Sequence, residues 1–130
     1  MPLYRCAVRE GATNETQRAA IAKEIVRVHC NVTGAPPSFV HAFFNELPRD
    51  ELPAGKAAFI LGSIRSGRNG DQKEQIAREL SGFVANVLGE STDAVGVVTA
   101  DVPAKWNMEG GELLPEPGEE AEWLERHGQA

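Results

Sequence analysis

Three groups of residues in this chain of 130 carry more chemistry than packing demands. Pro2 follows the initiator methionine. With Met1 removed it would bear a free secondary amine, a base. With Met1 in place the nitrogen is an amide and Pro2 merely starts a strand, where a missing N–H costs nothing. Arg65 and Arg68 stand in IRSGRNG, three residues apart around a Ser-Gly turn. Their guanidiniums can converge on one carboxylate through paired hydrogen bonds, although a solvated charged loop has the same composition. Glu109, Glu112 and Glu116 lie in NMEGGELLPEPGEEAEW. A carboxylate near two arginines and an amine could accept a proton or activate water, and composition does not choose among the three.

The elements that must position these groups are written twice. LYRCAV at 3–8 reads as a strand, and Ile21, Ile25, Val28 and Val32 recur at spacings of four, three and four, one face of a helix. Thr13 or Asn14 can cap that helix, and Gly34 followed by Pro36 and Pro37 ends it. FVHAFFNELP from Phe39 to Pro48 reads as a buried strand, completing a βαβ unit. After RDELPAGK the order returns: a strand at 57–64, a helix at 71–89 with Ile76, Leu80, Phe83 and Val87 on its apolar face, and a strand at 94–103. The offset is 55 residues throughout, placing Ile21 on Ile76, Glu24 on Glu79, Asn31 on Asn86 and Gly34 on Gly89. Such coincidences without a gap indicate an internal duplication.

The expected fold is a two-layer α+β sandwich of the α/β type. Tandem βαβ repeats, about 2–48 and 57–103, form a four-stranded sheet with two helices on one face, and a segment 104–130 completes a single domain. Apolar strands such as FVHAFF and VGVV leave the other sheet face to be buried by further copies of the chain, so an oligomer is expected. Against the duplication, His29 stands out, because its partner at offset 55 is Val84. An imidazole there is either a core-edge group bonded to backbone or a group aimed at a ligand. His41 and His127 read as structural, while Trp106 and Trp123 suit either a pocket wall or a subunit-interface anchor, with packing the favoured use.

The formal net charge of −6 argues against nucleic-acid or anionic-membrane surfaces, which need basic clusters. No apolar run approaches the roughly 18 residues of a membrane span, and no secretory leader is read, so cytoplasm is the expected compartment. Cys6 and Cys30, with 23 residues between them, match no metal-ligand spacing and are expected to be reduced packing thiols. Neither metal nor cofactor is expected.

Taken together, Pro2-Leu3-Tyr4, His29, Arg65-Ser66-Gly67-Arg68 and Pro103, Glu109, Leu114-Pro115-Glu116-Pro117-Gly118 and Trp123 resemble the tautomerase superfamily, and within it the cis-3-chloroacrylic acid dehalogenase subgroup. The resemblance implies fused βαβ pairs assembled as a homotrimer. It implies Pro2 as the catalytic amine after Met1 removal, Arg65 and Arg68 as carboxylate binders, His29 as a group that holds and polarises substrate, and Glu109 as the water-activating carboxylate. One position departs: the subgroup's dehalogenases carry a tyrosine where this chain has Val98. The chain also ends sooner than is usual for the subgroup, so a site-closing C-terminal segment is expected to be short or absent.

Val98 ranks the chemistries. Hydration needs water held and deprotonated at a defined place, and a valine leaves Glu109 alone for that task, whereas tautomerisation needs no water. The expectation is therefore a tautomerase acting on a small 2-oxo or enol carboxylate of the phenylpyruvate type. The alternative enzyme is a cis-3-chloroacrylate dehalogenase or acetylenic-acid hydratase, and the non-catalytic alternative is a trimeric small-carboxylate-binding protein.

Overall fold

The computed structural model describes residues 1–127. Strand β1 (Leu3–Arg9) leads into helix α1 (Glu15–Thr33) and strand β2 (His41–Leu47). Strand β3 (Ala58–Arg65), helix α2 (Gly70–Leu88) and strand β4 (Val95–Val102) repeat the order. The sheet runs β2-β1-β3-β4. Its two halves are parallel pairs, with Leu3 opposite His41 and Ala58 opposite Val95. They join antiparallel at the centre, where Leu3 faces Ser63.

The duplication reaches into the helix caps. Asn14 and Asn69 each accept the N–H of the third helical residue, Gln17 and Gln72, whose side chains bond back to the cap N–H, and Gly34 and Gly89 close both helices at φ 77° and 70°. These reciprocal bonds satisfy donors that a bare helix start leaves open. Of the two expected caps for α1, Asn14 is the one used.

Both helices cover one sheet face. Ile21, Ile25, Val28, Ile76, Leu80 and Val84 pack on Tyr4, Cys6, Val8, Ile60 and Ile64. The facing in the central strands differs from a strict offset of 55: Tyr4 points into this core, while Phe59 contacts Gly96 on the opposite face. That opposite face is open, as expected from the apolar strands, and leaves Leu3, Phe43 and Val98 exposed. No helix among the described residues is long and apolar enough to cross a membrane.

The residue facing the Tyr4 ring from β3 is Gly62. A Cβ there would lie 2.5 Å from the ring edge, closer than any side chain in a packed core tolerates. Gly62→Ala is expected to lower stability by about 1–3 kcal/mol, the usual effect of overpacking, read as a reduced urea midpoint at unchanged slope.

Two boundaries differ from the sequence reading. Phe39 is not in a strand: it closes a short 3-10 turn (Pro37–Phe39) led by Pro36 and is fully buried in a second core with Leu114 and Trp123, so β2 begins at His41. Arg65 is the last residue of β3 rather than part of the following loop. Beyond β4 the chain adds a ribbon, β5 (Met108–Glu109) and β6 (Glu112–Leu113), and a short helix α3 (Glu120–Arg126). Trp123 packs as expected, with its indole N–H donating to the Leu113 carbonyl at 2.7 Å. Trp106 is 76% exposed, at the mouth of a cavity that Met1 and Glu109 also line.

Candidate active site at one sheet edge

The topology gathers the chemistry-bearing residues. The starts of β1 and β2 and the ends of β3 and β4 share one edge, because the parallel pairs meet antiparallel. Pro2 precedes β1 and is buried, Arg65 ends β3, Arg68 lies in the turn before α2, and the last turns of α1 bring His29 to the same edge.

His29 is 2% exposed, and its Nδ1 lies 2.8 Å from the Tyr4 hydroxyl. Burial holds the phenol protonated far above its usual range. When it donates to Nδ1, the remaining imidazole proton sits on Nε2, which makes no hydrogen bond among the described residues. Burial, then the positive charges of Arg68, Arg65 and the N-terminus, depress the His29 pKa to about 3, so the ring is a neutral donor at physiological pH. The consequence for stability has a definite sign. The unfolded chain protonates His29 near pH 6.5 and the folded chain does not, so stability falls as pH drops below 6.5 towards 3. The slope is at most about 1.4 kcal/mol per pH unit. Urea titrations between pH 7 and 5 are expected to show this loss, and His29→Gln is expected to flatten it.

The two arginines differ sharply. Arg65 is 2% exposed and held from both Nη atoms: it donates to the Pro115 carbonyl at 2.7 Å and to Glu120 Oε1 at 3.1 Å, with its guanidinium 5.3 Å from the Phe39 ring centroid. Burial pushes the Glu120 carboxyl up, but its backbone hydrogen bonds and Arg65 outweigh this and hold it below its usual range. Arg68 donates only to the Thr33 carbonyl, at 3.3 Å, and its Nε is a buried donor without a partner among the described residues. Burial and Arg65 lower its pKa. A buried donor left open beside a second cation suits an incoming anion.

Glu109 sits at the chain's start. Its Oε1 forms an ion pair with the Met1 ammonium and lies 3.3 Å from His41 Nε2. Burial lowers the pKa of that amine, Glu109 opposes the shift, and Arg65 adds to it. A cavity of about 470 Å³ opens here, lined among others by Met1, Leu3, His41, Asn107 and Glu109. Glu112 instead faces His127, and Glu116 is exposed in the turn before α3. Of the three candidate carboxylates, the fold brings Glu109 to the N-terminus.

Sequence reasoning missed Tyr4, Glu120 and His41 as partners of the site. Tyr4 was legible as the next residue on Pro2's side of the strand. Glu120 is one acid in a crowded run, and its pairing with Arg65 depends on a tertiary contact that no spacing encodes.

One sheet edge of a duplicated βαβ scaffold joins the N-terminal segment, a neutral buried histidine and two arginines. Residues 1–127 match the model of a family described as "Putative oxalocrotonate tautomerase enzyme". The chain belongs to this family of the tautomerase superfamily, in its cis-3-chloroacrylic acid dehalogenase-like subgroup. It is 44% identical over 55 residues to a "probable tautomerase" of Lactococcus lactis subsp. lactis, covering 42% of this chain and 88% of that one. The relative is thus about half as long as this chain, the length of one repeat. The crystal structure of N1, a member of the cis-3-chloroacrylic acid dehalogenase family, superposes with a TM-score of 0.88 at 33% identity, covering 98% of this chain and 96% of that one. A fused 4-OT solved as a wild-type symmetric trimer gives a TM-score of 0.74 at 25% identity, over 87% of this chain and 95% of that one.

Proposed function

We propose that the chain, as one tautomerase-like unit from 1 to 130 assembled as a homotrimer, is an N-terminal-proline tautomerase of small 2-oxo or enol carboxylates, phenylenolpyruvate among them. The observation that carries this reading is the open Arg68 donor, buried beside Arg65 and a neutral His29 at the N-terminal end of β1. Arg68 would take the substrate carboxylate, with Arg65 adding positive potential from behind. The His29 Nε2–H would donate to the substrate's 2-oxygen and polarise it. The Pro2 amine, exposed by loss of Met1, would remove the enol proton and return it to carbon. A free α-amino group titrates near 8, and proline's secondary amine starts somewhat higher. Burial and Arg65 lower the Met1 amine against the opposing Glu109, and the same surroundings would act on the Pro2 amine in the direction a base at neutral pH requires. The test is ketonisation of phenylenolpyruvate by protein whose intact mass lacks Met1, against Pro2→Ala.

A second reading has its own observation. Glu109 pairs with the ammonium of Met1, the residue just before Pro2, and a carboxylate this close to the processed terminus would favour a protonated Pro2 amine. Pro2 would then be an acid, delivering a proton to C-2 of an acetylenic acid or cis-3-haloacrylate while Glu109 deprotonates the water that attacks C-3. Both readings share the carboxylate pocket. They divide on the charge of one nitrogen.

A further inference from the structure

Glu109 occupies a weak part of the fold. Its strand, Met108–Glu109, pairs only with Glu112–Leu113 across Gly110 and Gly111, which turn at φ 58° and 81°. A two-stranded ribbon of this size has little stability of its own. Leu114 N–H to the Asn107 carbonyl and Asn107 Nδ2 to the Pro103 carbonyl, both 3.0 Å, tie its base. Neither reaches the carboxylate. Among the described residues, two groups do: the Met1 ammonium and His41, whose Nε2 is 3.3 Å from Oε1. The first disappears with Met1.

His41 opens edge strand β2 opposite Leu3. Its backbone N–H donates to the Pro2 carbonyl at 2.9 Å. A single residue therefore grips the Pro2 segment through its main chain and faces Glu109 through its side chain. The two grips come from one end of the four-stranded sheet, where β1 and β2 pair over seven residues against two in the ribbon.

We infer that His41 is a positioning residue that holds the Glu109 carboxylate at a set separation from the Pro2 amine in the processed chain. The inference rests on the second reading above, in which Glu109 activates water. Addition to propynoate needs both groups in register. A water O–H bond breaks, with its proton passing to Glu109 Oε2. The water oxygen bonds C-3 as one π bond of the alkyne opens, and the Pro2 N–H proton passes to C-2. The product is the enol of 3-oxopropanoate. Glu109 then releases its proton to solvent and the amine regains one. An imidazole that turns this 3.3 Å contact into a hydrogen bond to Oε1 would leave Oε2 free for the water and supply the second polar group that Val98 does not.

The test measures propynoate hydration by Met1-free wild type, His41→Ala, His41→Gln and Glu109→Gln, with circular dichroism to confirm folding. His41→Ala keeps the backbone bond to Pro2 and is expected to lose on the order of ten- to a hundredfold in kcat, the scale of a misplaced reacting group, with little change in KM. Gln, which can place an amide N–H near the Nε2 position, is expected to restore most of that rate. If Glu109→Gln is inactive and His41→Ala matches wild type, the positioning role is wrong. If Glu109→Gln hydrates like wild type, or wild type does not hydrate at all, the water-activating reading falls and His41 with it.

Discussion

Pro2→Ala is expected to lose on the order of a hundredfold or more in kcat for phenylenolpyruvate ketonisation, with KM nearly unchanged. Positioned general acid–base groups contribute about that much, and the proposed carboxylate pocket would draw its binding from Arg65, Arg68 and His29 rather than from the amine. The alanine variant still exposes an amine once Met1 is removed. That amine is primary, less basic, and free to rotate about φ, where the pyrrolidine ring fixes it. Two controls make the result specific. Wild-type protein that retains Met1, identified by intact mass, is expected to be as impaired as Pro2→Ala, because an amide nitrogen has no basic lone pair and the Met1 ammonium is paired to Glu109. A carboxylate inhibitor is expected to bind the alanine variant and wild type alike. Full activity in Pro2→Ala would show that the secondary amine is not required, and full activity in protein that retains Met1 would rule out the amine mechanism and favour a carboxylate-binding role for the pocket. A loss confined to KM would place Pro2 in binding instead of proton transfer.

Much of this arrangement is legible in the sequence. The offset of 55 residues is a local, repeated signal, and the helices it predicts begin at Glu15 and Gly70 and end at Thr33 and Leu88, themselves 55 apart. His29 was visible because its repeat partner Val84 is apolar, and both residues are buried in the structure. The strands obeyed the offset less well. Side-chain facing alternates every residue, so Tyr4 and its offset partner Phe59 point to opposite faces. The C-terminal segment gave the least. Its residues form a two-residue-per-strand ribbon and a seven-residue helix, too short for periodicity to register. Its anchor is the buried trio of Phe39, Leu114 and Trp123, which joins residues far apart in sequence. Phe39 was misread for the same reason: an apolar residue before an apolar strand reads as strand until its tertiary partner is known.

The arginine pair is the place where similar residues in one motif are expected to behave differently. Arg65→Ala removes a buried cation that holds the Pro115 carbonyl and Glu120 and lies over Phe39. Breaking one side of a buried ion pair costs about 3–5 kcal/mol, so this variant is expected to unfold at clearly lower urea. Its C-terminal segment, from Pro115 to α3, is expected to lose hydrogen-exchange protection first. Arg68→Ala removes a guanidinium that, among the described residues, has no partner for Nε and makes one long bond, to Thr33. Little stability is lost with it, within about 1 kcal/mol by the loss of a single modest bond. Its effect falls on substrate instead. A charge-assisted bond contributes about 1.5–3 kcal/mol, so kcat/KM is expected to drop by about ten- to a hundredfold, mainly through KM, with matching weakening of a carboxylate inhibitor. Glu120→Gln sharpens the contrast, since it is expected to weaken the fold in the direction of Arg65→Ala while leaving Arg68 free to bind. Should Arg68→Ala destabilise the protein as much as Arg65→Ala and bind the inhibitor normally, the open donor would be structural, and the anion site would have to be sought at Arg65 after displacement of Glu120.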